Sequence, residues 1–190
     1  MVRIVGIGGS LRRQSYNGGL LRAATALMPA GSSLDLVSIR EIPLYDGDVE
    51  TGVGIPAPAA MLKDRIAAAD GMLIATPEYN NGIPGYLKNA IDWASRPPQD
   101  IGRVFGGKRV ALIGASPGPF GTILSQAAWL PVLRTLGAEH WSGGRFLALH
   151  AADKFQDGEL VDADTRERLR TFLAGFVSFI QAGTADTTAA

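Results

Sequence analysis

The sequence predicts an α/β domain of three layers, doubly wound around a five-stranded parallel sheet. Three observations carry this prediction. Short β-branched or apolar runs alternate along the chain with runs whose apolar residues recur at helical spacing. The apolar runs show little alternation between faces, which suits parallel strands covered on both sides. The chain has 190 residues, 46% hydrophobic and 19% charged, an ordinary balance for one well-buried core. A single domain over 1–183 is expected, followed by a small, polar, disordered tail over 184–190.

The elements follow in order. Val2–Gly9, VRIVGIGG, is a β-branched run ending in glycines, a buried strand. Asn17 is placed to cap the next helix, whose stripe is Leu20, Leu21, Ala24 and Leu27, and Pro29-Ala30-Gly31 stops it. Leu34–Ile39 is a second strand. The stretch from Arg40 to Pro58 is rich in Pro, Gly and acids and reads as a long loop. Ala59–Ala69 is a short helix and Gly71–Pro77 an apolar strand closed by proline. Tyr86–Arg96 carries Leu87, Ala90, Ile91 and Ala94 at helical spacing. RPPQDIGRVFGG reads as another loop. Lys108–Ser116 is a fourth strand, and Ile123–Gly137 a helix with Pro131 inside it. Arg145–Ala151 is a fifth strand. The run from Asp162 to Gln181 is the last helix, with Asp164 or Thr165 as its cap.

Composition narrows the chemistry. Lys+Arg and Asp+Glu are 18 each, so net charge is zero, which argues against a nucleic-acid surface or a polybasic membrane contact. There are no cysteines, so disulfides, iron–sulfur clusters, thiolate metal sites and cysteine nucleophiles are excluded. Redox chemistry here requires an organic cofactor. No apolar run approaches the roughly 20 residues of a membrane span, and the N-terminus lacks the pattern of a signal peptide. A cytoplasmic protein is expected. No convincing metal ligand set stands out. His140 and His150 read as lying away from the loops discussed next and receive no role.

In a doubly wound sheet ligands bind outside the carboxyl ends of the strands, where strand order reverses. That rule selects three loops: Gly9–Asn17, Pro77–Gly85 and Ser116–Thr122. The first offers the hydroxyls of Ser10 and Ser15, the Asn17 amide, the guanidinium of Arg12 and a helix N-terminus, a donor set suited to an anion. Read alone, it fits either a phosphate site or a plain turn with solvated arginines. Gly6 and Gly8 begin a dinucleotide fingerprint, but Leu11 stands where its third glycine belongs, and no Gly-Lys-Ser/Thr follows the strand. These misses favour one phosphate held by side chains. In the second loop Pro77 ends the strand, Glu78-Tyr79-Asn80 sets a ring between two polar groups, Asn81-Gly82 is a turn pair and Pro84-Gly85 opens a helix. Such a loop suits the edge and face of a flat heterocycle, or equally a structural turn plugged by Tyr79. The third loop packs small residues where backbone approaches a ligand, or makes an ordinary turn. Trp93 and Trp129, on helices, read as core.

Taken together, GSLRRQSYN and PEYNNGIPGYLKNAIDW resemble the NADPH-dependent FMN reductase family of flavodoxin-like proteins, which includes chromate, quinone and azo-compound reductases. The pattern GS-x-R-x-x-S-x-N, then PEYN-x-x-x-PG-x-LKN-A-I-DW, is matched at every position and in family order. The resemblance implies a flavodoxin-like fold, FMN as cofactor and NADPH or NADH as co-substrate. It implies that Ser10, Arg12, Ser15 and Asn17 hold the FMN phosphate. Pro77, Glu78, Tyr79 and Asn80 would line the isoalloxazine, and Ser116 would sit beside the ring or ribityl chain. The flavin would carry the chemistry without a side-chain acid or base. The acceptor would be a small molecule such as a quinone, chromate, an azo compound or free flavin. A homodimer or homotetramer is implied, with Tyr86–Trp93 and Trp129–Arg134 as contact candidates. A flavodoxin-like electron carrier and a flavin-free phosphate-sugar or nucleotide enzyme are the rival readings.

Overall fold

The computed structural model describes residues 1–188, and side-chain surroundings through Gly183. The chain runs β1 (Val2–Gly8), α1 (Tyr16–Leu27), β2 (Ser32–Val37), α2 (Gly47–Gly52), α3 (Ala57–Ala68), β3 (Gly71–Ala75) and α4 (Gly85–Ala94). A 3-10 turn at Pro98–Asp100 leads into α5 (Ile101–Phe105), then β4 (Arg109–Ala115) and α6 (Ile123–Thr135). Next come β5 (Glu139–His140), β6 (Phe146–Ala148), a hairpin of β7 (Phe155–Gln156) and β8 (Glu159–Leu160), and α7 (Ala163–Thr188). The expected disordered tail falls on 184–190, outside the residues whose side-chain surroundings are described.

The sheet order is β2-β1-β3-β4-β5, with every pairing parallel, and β6 also pairs with β4. β5 lies against Arg109–Val110 and β6 against Ile113–Ala115, so the fifth place in the sheet is one interrupted strand. The single strand predicted over 145–151 is therefore shorter than expected, and its first half was missed. The interruption has a cause. Trp141 leaves the sheet to pack on Phe172 and Phe176, at 4.9 and 5.7 Å between ring centres. Gly144 admits it, since a Cβ there would stand 2.8 Å from the Trp141 ring.

Alternate residues of each central strand serve opposite layers. Ile4, Leu73, Ala111 and Ile113 join α1 and α7 in one core, while Val5, Ile7, Met72, Ile74 and Leu112 join α3, α4, α5 and α6 in the other. Trp93 and Trp129 are fully buried in the second core, as expected of helical aromatics. Two stretches read as loops contain short helices, α2 and α5. Proline and glycine on either side hide them from periodicity, yet Val104 and Phe105 of α5 are fully buried. The start of α7 also differs. Asp162 Oδ1 accepts from Thr165 N at 2.8 Å, so the cap precedes both candidates named from sequence. No helix among the described residues is long and apolar enough to cross a membrane.

Strand order reverses beside β1, which has β2 on one side and β3 on the other. Gly8 pairs with Ala75, and Ala75 with Ile113, so β1, β3 and β4 end together. The loops that follow them leave from one edge.

Candidate functional site

The first loop is built by local capping. Ser15 precedes α1 in extended conformation and its Oγ accepts from Gly18 N at 3.3 Å. Its carbonyl accepts from Gly19 N at 2.9 Å. The amides of Tyr16 and Asn17 stand in the first turn, where a helix supplies no internal acceptor. Asn17 is buried and both polar atoms of its side chain are engaged: Nδ2 donates to Ala115 O and Oδ1 accepts from Ala115 N, both at 2.9 Å. This pair fastens the first loop to the end of β4. Of the four polar residues named from sequence, Ser15 and Asn17 thus spend their side chains on structure. Ser10 and Arg12 keep theirs at the surface of the crevice. Arg12 lies over the Tyr16 ring at 5.5 Å, and Ser10 Oγ accepts from Arg12 N at 3.4 Å.

The second loop is a tight hairpin. Tyr79 and Gly82 exchange backbone hydrogen bonds of 3.3 and 3.1 Å. The two residues between them, Asn80 and Asn81, both have positive φ, 50° and 63°, the signature of a type I′ turn. The central pair is therefore Asn80-Asn81, one residue earlier than the Asn81-Gly82 pair read from sequence. Asparagine tolerates this region better than most residues. Tyr79 is half exposed, and its Oη donates to Ser10 Oγ at 3.4 Å, joining the second loop to the first. Pro77 is buried against Gly9, where a Cβ would come within 2.9 Å of Pro77 Cδ.

Glu78 has a use that spacing did not reveal. Its Oε2 accepts from Leu124 N at 2.8 Å and Ser125 N at 3.0 Å, at the start of α6. Thr122, the residue in the cap position, makes no side-chain capping bond. Glu78 therefore caps α6 across the crevice and sets a negative charge on the helix's positive end. Beneath it, the buried Thr76 Oγ1 bonds Ser125 Oγ at 2.7 Å and accepts from Trp129 Nε1 at 3.1 Å. These bonds tie the end of β3 to α6 at the floor of the crevice.

In the third loop, Ser116 Oγ accepts from Gly118 N at 3.2 Å, and Ser116 N donates to Ala148 O at 3.1 Å. Gly114 is required at the strand end, since a Cβ there would overlap Thr122 Oγ1. His150 N donates to Gly118 O at 3.3 Å. This corrects the placement of His150 away from the loops: its backbone is hydrogen-bonded to the third one. His140 stays on β5, half-buried, and burial with Arg145 nearby holds it below its ordinary pKa.

A second support lies beneath α4. Glu50 pairs with Arg96 at 2.8 Å and accepts from Tyr45 Oη at 2.9 Å. The Arg96 guanidinium lowers the Glu50 pKa, and the bond to Glu50 raises that of Tyr45. Trp93 Nε1 and Asn89 Nδ2 both donate to Pro43 O. The segment after β2 is thus latched to the helix that carries the second loop. Sequence reasoning did not find this latch, because its partners lie about 45 positions apart with no motif linking them.

The arrangement fits FMN by the chemistry of its donors. One end of the crevice presents Ser10, Arg12 and the first-turn amides of α1, a set for a terminal phosphate. The other end presents the backbone of a tight hairpin and an exposed aromatic ring, a set for a flat heterocycle.

Comparison with known proteins agrees. The family described as NADPH-dependent FMN reductase matches residues 2–153. An NAD(P)H-dependent FMN reductase of Pseudomonas aeruginosa is 41% identical over 170 residues, 89% of this chain and 90% of that protein. A quinone reductase of Escherichia coli is 38% identical over 183 residues, 95% of this chain and 96% of that protein. A solved flavoenzyme NAD(P)H:(acceptor) oxidoreductase from Paracoccus denitrificans superposes with a TM-score of 0.84 at 34% identity, over 96% of this chain and 98% of that one. With the flavodoxin-like sheet, the crevice and these relatives in agreement, the chain belongs to the NADPH-dependent FMN reductase family and is an FMN-dependent NAD(P)H oxidoreductase.

Proposed function

We propose that this chain, as one domain over 1–183, passes two electrons from a reduced nicotinamide through FMN to a quinone or a similar small acceptor. Chromate, azo compounds and free flavin belong to the same acceptor class. The quinone reductase of E. coli and its relatives support this choice. Bound FMN supplies the hydride chemistry and the two-electron capacity.

The protein's own residues bind and orient. Arg12 offers its planar fork to the phosphate, and Ser10 donates its hydroxyl hydrogen while accepting from Arg12 N. Ser15 and Asn17 act by fixing the start of α1, which aims the amides of Tyr16 and Asn17 at the same anion. Pro77 turns the chain outward, and the backbone of Glu78, Tyr79 and Asn80 runs along the ring edge. Ser116 holds the third loop beside it. The open hairpin end leaves one face to the nicotinamide and then to the acceptor. The observation that carries this reading is the Tyr79–Ser10 contact at 3.4 Å, which brings the ring-lining loop onto the phosphate loop.

A homodimer, with a homotetramer built from it, fits the exposed apolar residues near the crevice. Tyr86 on α4, and Ile123, Leu124 and Leu130 on α6, are exposed. A cavity of about 380 Å³ between these helices is lined by Ile91, Ile101, Pro131 and Val132. Cytoplasmic supply of NAD(P)H suits a cysteine-free reductase. The test is steady-state NADPH oxidation with a benzoquinone and no added protein. Turnover is expected; a carrier would show almost none until a partner reductase is added.

A further inference from the structure

Arg13 is left over by the family motif, yet it helps wall a cavity of about 320 Å³ on the β2 side of the first loop. The cavity's charged residues are Arg12, Arg13, Arg22 and Arg40, and no acidic side chain lines it. Arg22 is neutralised by Glu159 at 2.6 Å and also donates to Gly158 O. Arg13 has no carboxylate partner among the described residues. Arg40 donates to Leu11 O, which fixes its guanidinium over the loop, and Ser38 Oγ accepts from Arg40 N at 3.3 Å. The Ser38 hydroxyl hydrogen remains to donate. Cations gathered without counter-charge repel one another, so a bound anion relieves the cavity.

The opposite wall is apolar. Leu34 and Leu36 share one face of β2; Leu34 is buried under α1, but Leu36, at the open end, is 41% exposed. Leu36, Leu21 and Leu11 together form this apolar side of the cavity. An apolar wall facing an arginine rim is the complement of a nucleoside phosphate. Tyr16 and Asn17, whose amides serve the flavin phosphate, do not line this cavity, so it is a second subsite on the β2 side of the loop, bordered by Ser10 and Arg12, which it shares with the flavin site.

We infer that the cavity between the first loop and the end of β2 takes the adenosine 2′-phosphate of NADPH, with Arg13, Arg40 and Ser38 as its donors. This rests on the oxidoreductase reading above and deepens it, because it assigns the choice between NADPH and NADH to named residues.

The experiment compares FMN-loaded wild type with Arg13→Ala and Arg13→Lys. Three quantities are measured: kcat/KM for each nicotinamide, inhibition by 2′,5′-ADP against 5′-AMP, and FMN affinity. The wild type is expected to prefer NADPH and to bind 2′,5′-ADP more tightly than 5′-AMP. In Arg13→Ala the NADPH/NADH ratio of kcat/KM falls about tenfold, one charge-assisted contact, and the two inhibitors converge. Arg13→Lys recovers part of the ratio, and the wild-type preference shrinks as salt is raised. The inference is overturned if the ratio is unmoved, if both nicotinamides weaken in the same proportion, or if wild type does not distinguish the two inhibitors. The two readings separate cleanly. Wild type that retains no FMN and oxidises neither nicotinamide sinks both; wild type that turns over both with an unmoved variant ratio sinks the subsite alone.

Discussion

Replacing Glu78 separates a structural role from a cofactor role at the centre of the family motif. Its carboxylate is the side-chain acceptor at the start of α6, taking two amides at 2.8 and 3.0 Å where Thr122 offers none. Glu78→Ala removes both bonds and the charge. Losing a cap costs about 0.5–2 kcal/mol, and losing the charge at the helix end about 0.3–1 kcal/mol. The sum is about 1–3 kcal/mol, or about 2–4 °C in Tm per kcal/mol for a chain of this length. Glu78→Gln keeps an acceptor and forfeits the charge, so its loss is about 0.3–1 kcal/mol. Urea unfolding of both variants, with flavin removed and with flavin restored, measures the difference. Both variants are expected to be weaker in the flavin-free form, Ala more than Gln. If the flavin-free Glu78→Ala protein unfolds at the wild-type midpoint, the cap is not what this carboxylate does.

Four further outcomes follow from the geometry. Asn17→Ala leaves the buried backbone N–H and C=O of Ala115 unpaired, at about 1–3 kcal/mol each, so chemical denaturation is expected to show a loss of about 2–6 kcal/mol even without flavin. Arg12→Ala weakens FMN by about 1.5–3 kcal/mol in a fluorescence titration while the flavin-free stability stays near wild type; an unchanged FMN affinity removes Arg12 from the site. Gly114→Ala forces a Cβ into Thr122 Oγ1, so it destabilises by about 1–3 kcal/mol and a melting curve at the wild-type midpoint would contradict the packing. Stability also falls with acid in two stages. His140 has its pKa below 6.5, so the unfolded chain binds its proton first and stability drops as pH falls below about 6.5, a stage that His140→Gln removes. Glu50, Asp100 and Asp162 are held below their ordinary values by Arg96, by Lys63 and by Thr165; their contribution is full above the unfolded carboxylate range and is lost as pH falls from there through their lower folded values.

The central strands and longer helices were legible because their apolar spacing reflects burial, and burial here is nearly complete from Gly71 to Pro77. The three crevice loops were legible because chain order and the carboxyl-edge rule place them together whatever the side chains do. Individual roles were less legible. Asn17 and Glu78 carry the right polarity for a ligand, yet each spends its side chain on a backbone far away in sequence, Asn17 on Ala115 and Glu78 on Leu124 and Ser125. Polarity in a motif does not say whether the partner is a ligand or the fold. The short helices α2 and α5 and the broken fifth strand escaped because their form depends on tertiary partners: Arg96 for Glu50, the core for Phe105, and Phe172 for Trp141.

The most direct test of the central claim is the absorbance of purified protein incubated with FMN, desalted, and then treated anaerobically with NADPH. The account predicts one flavin retained per chain, bleached by NADPH alone and restored to the oxidised spectrum by a benzoquinone. Protein that comes through desalting colourless, or retains flavin that NADPH does not reduce without a second protein, would contradict it.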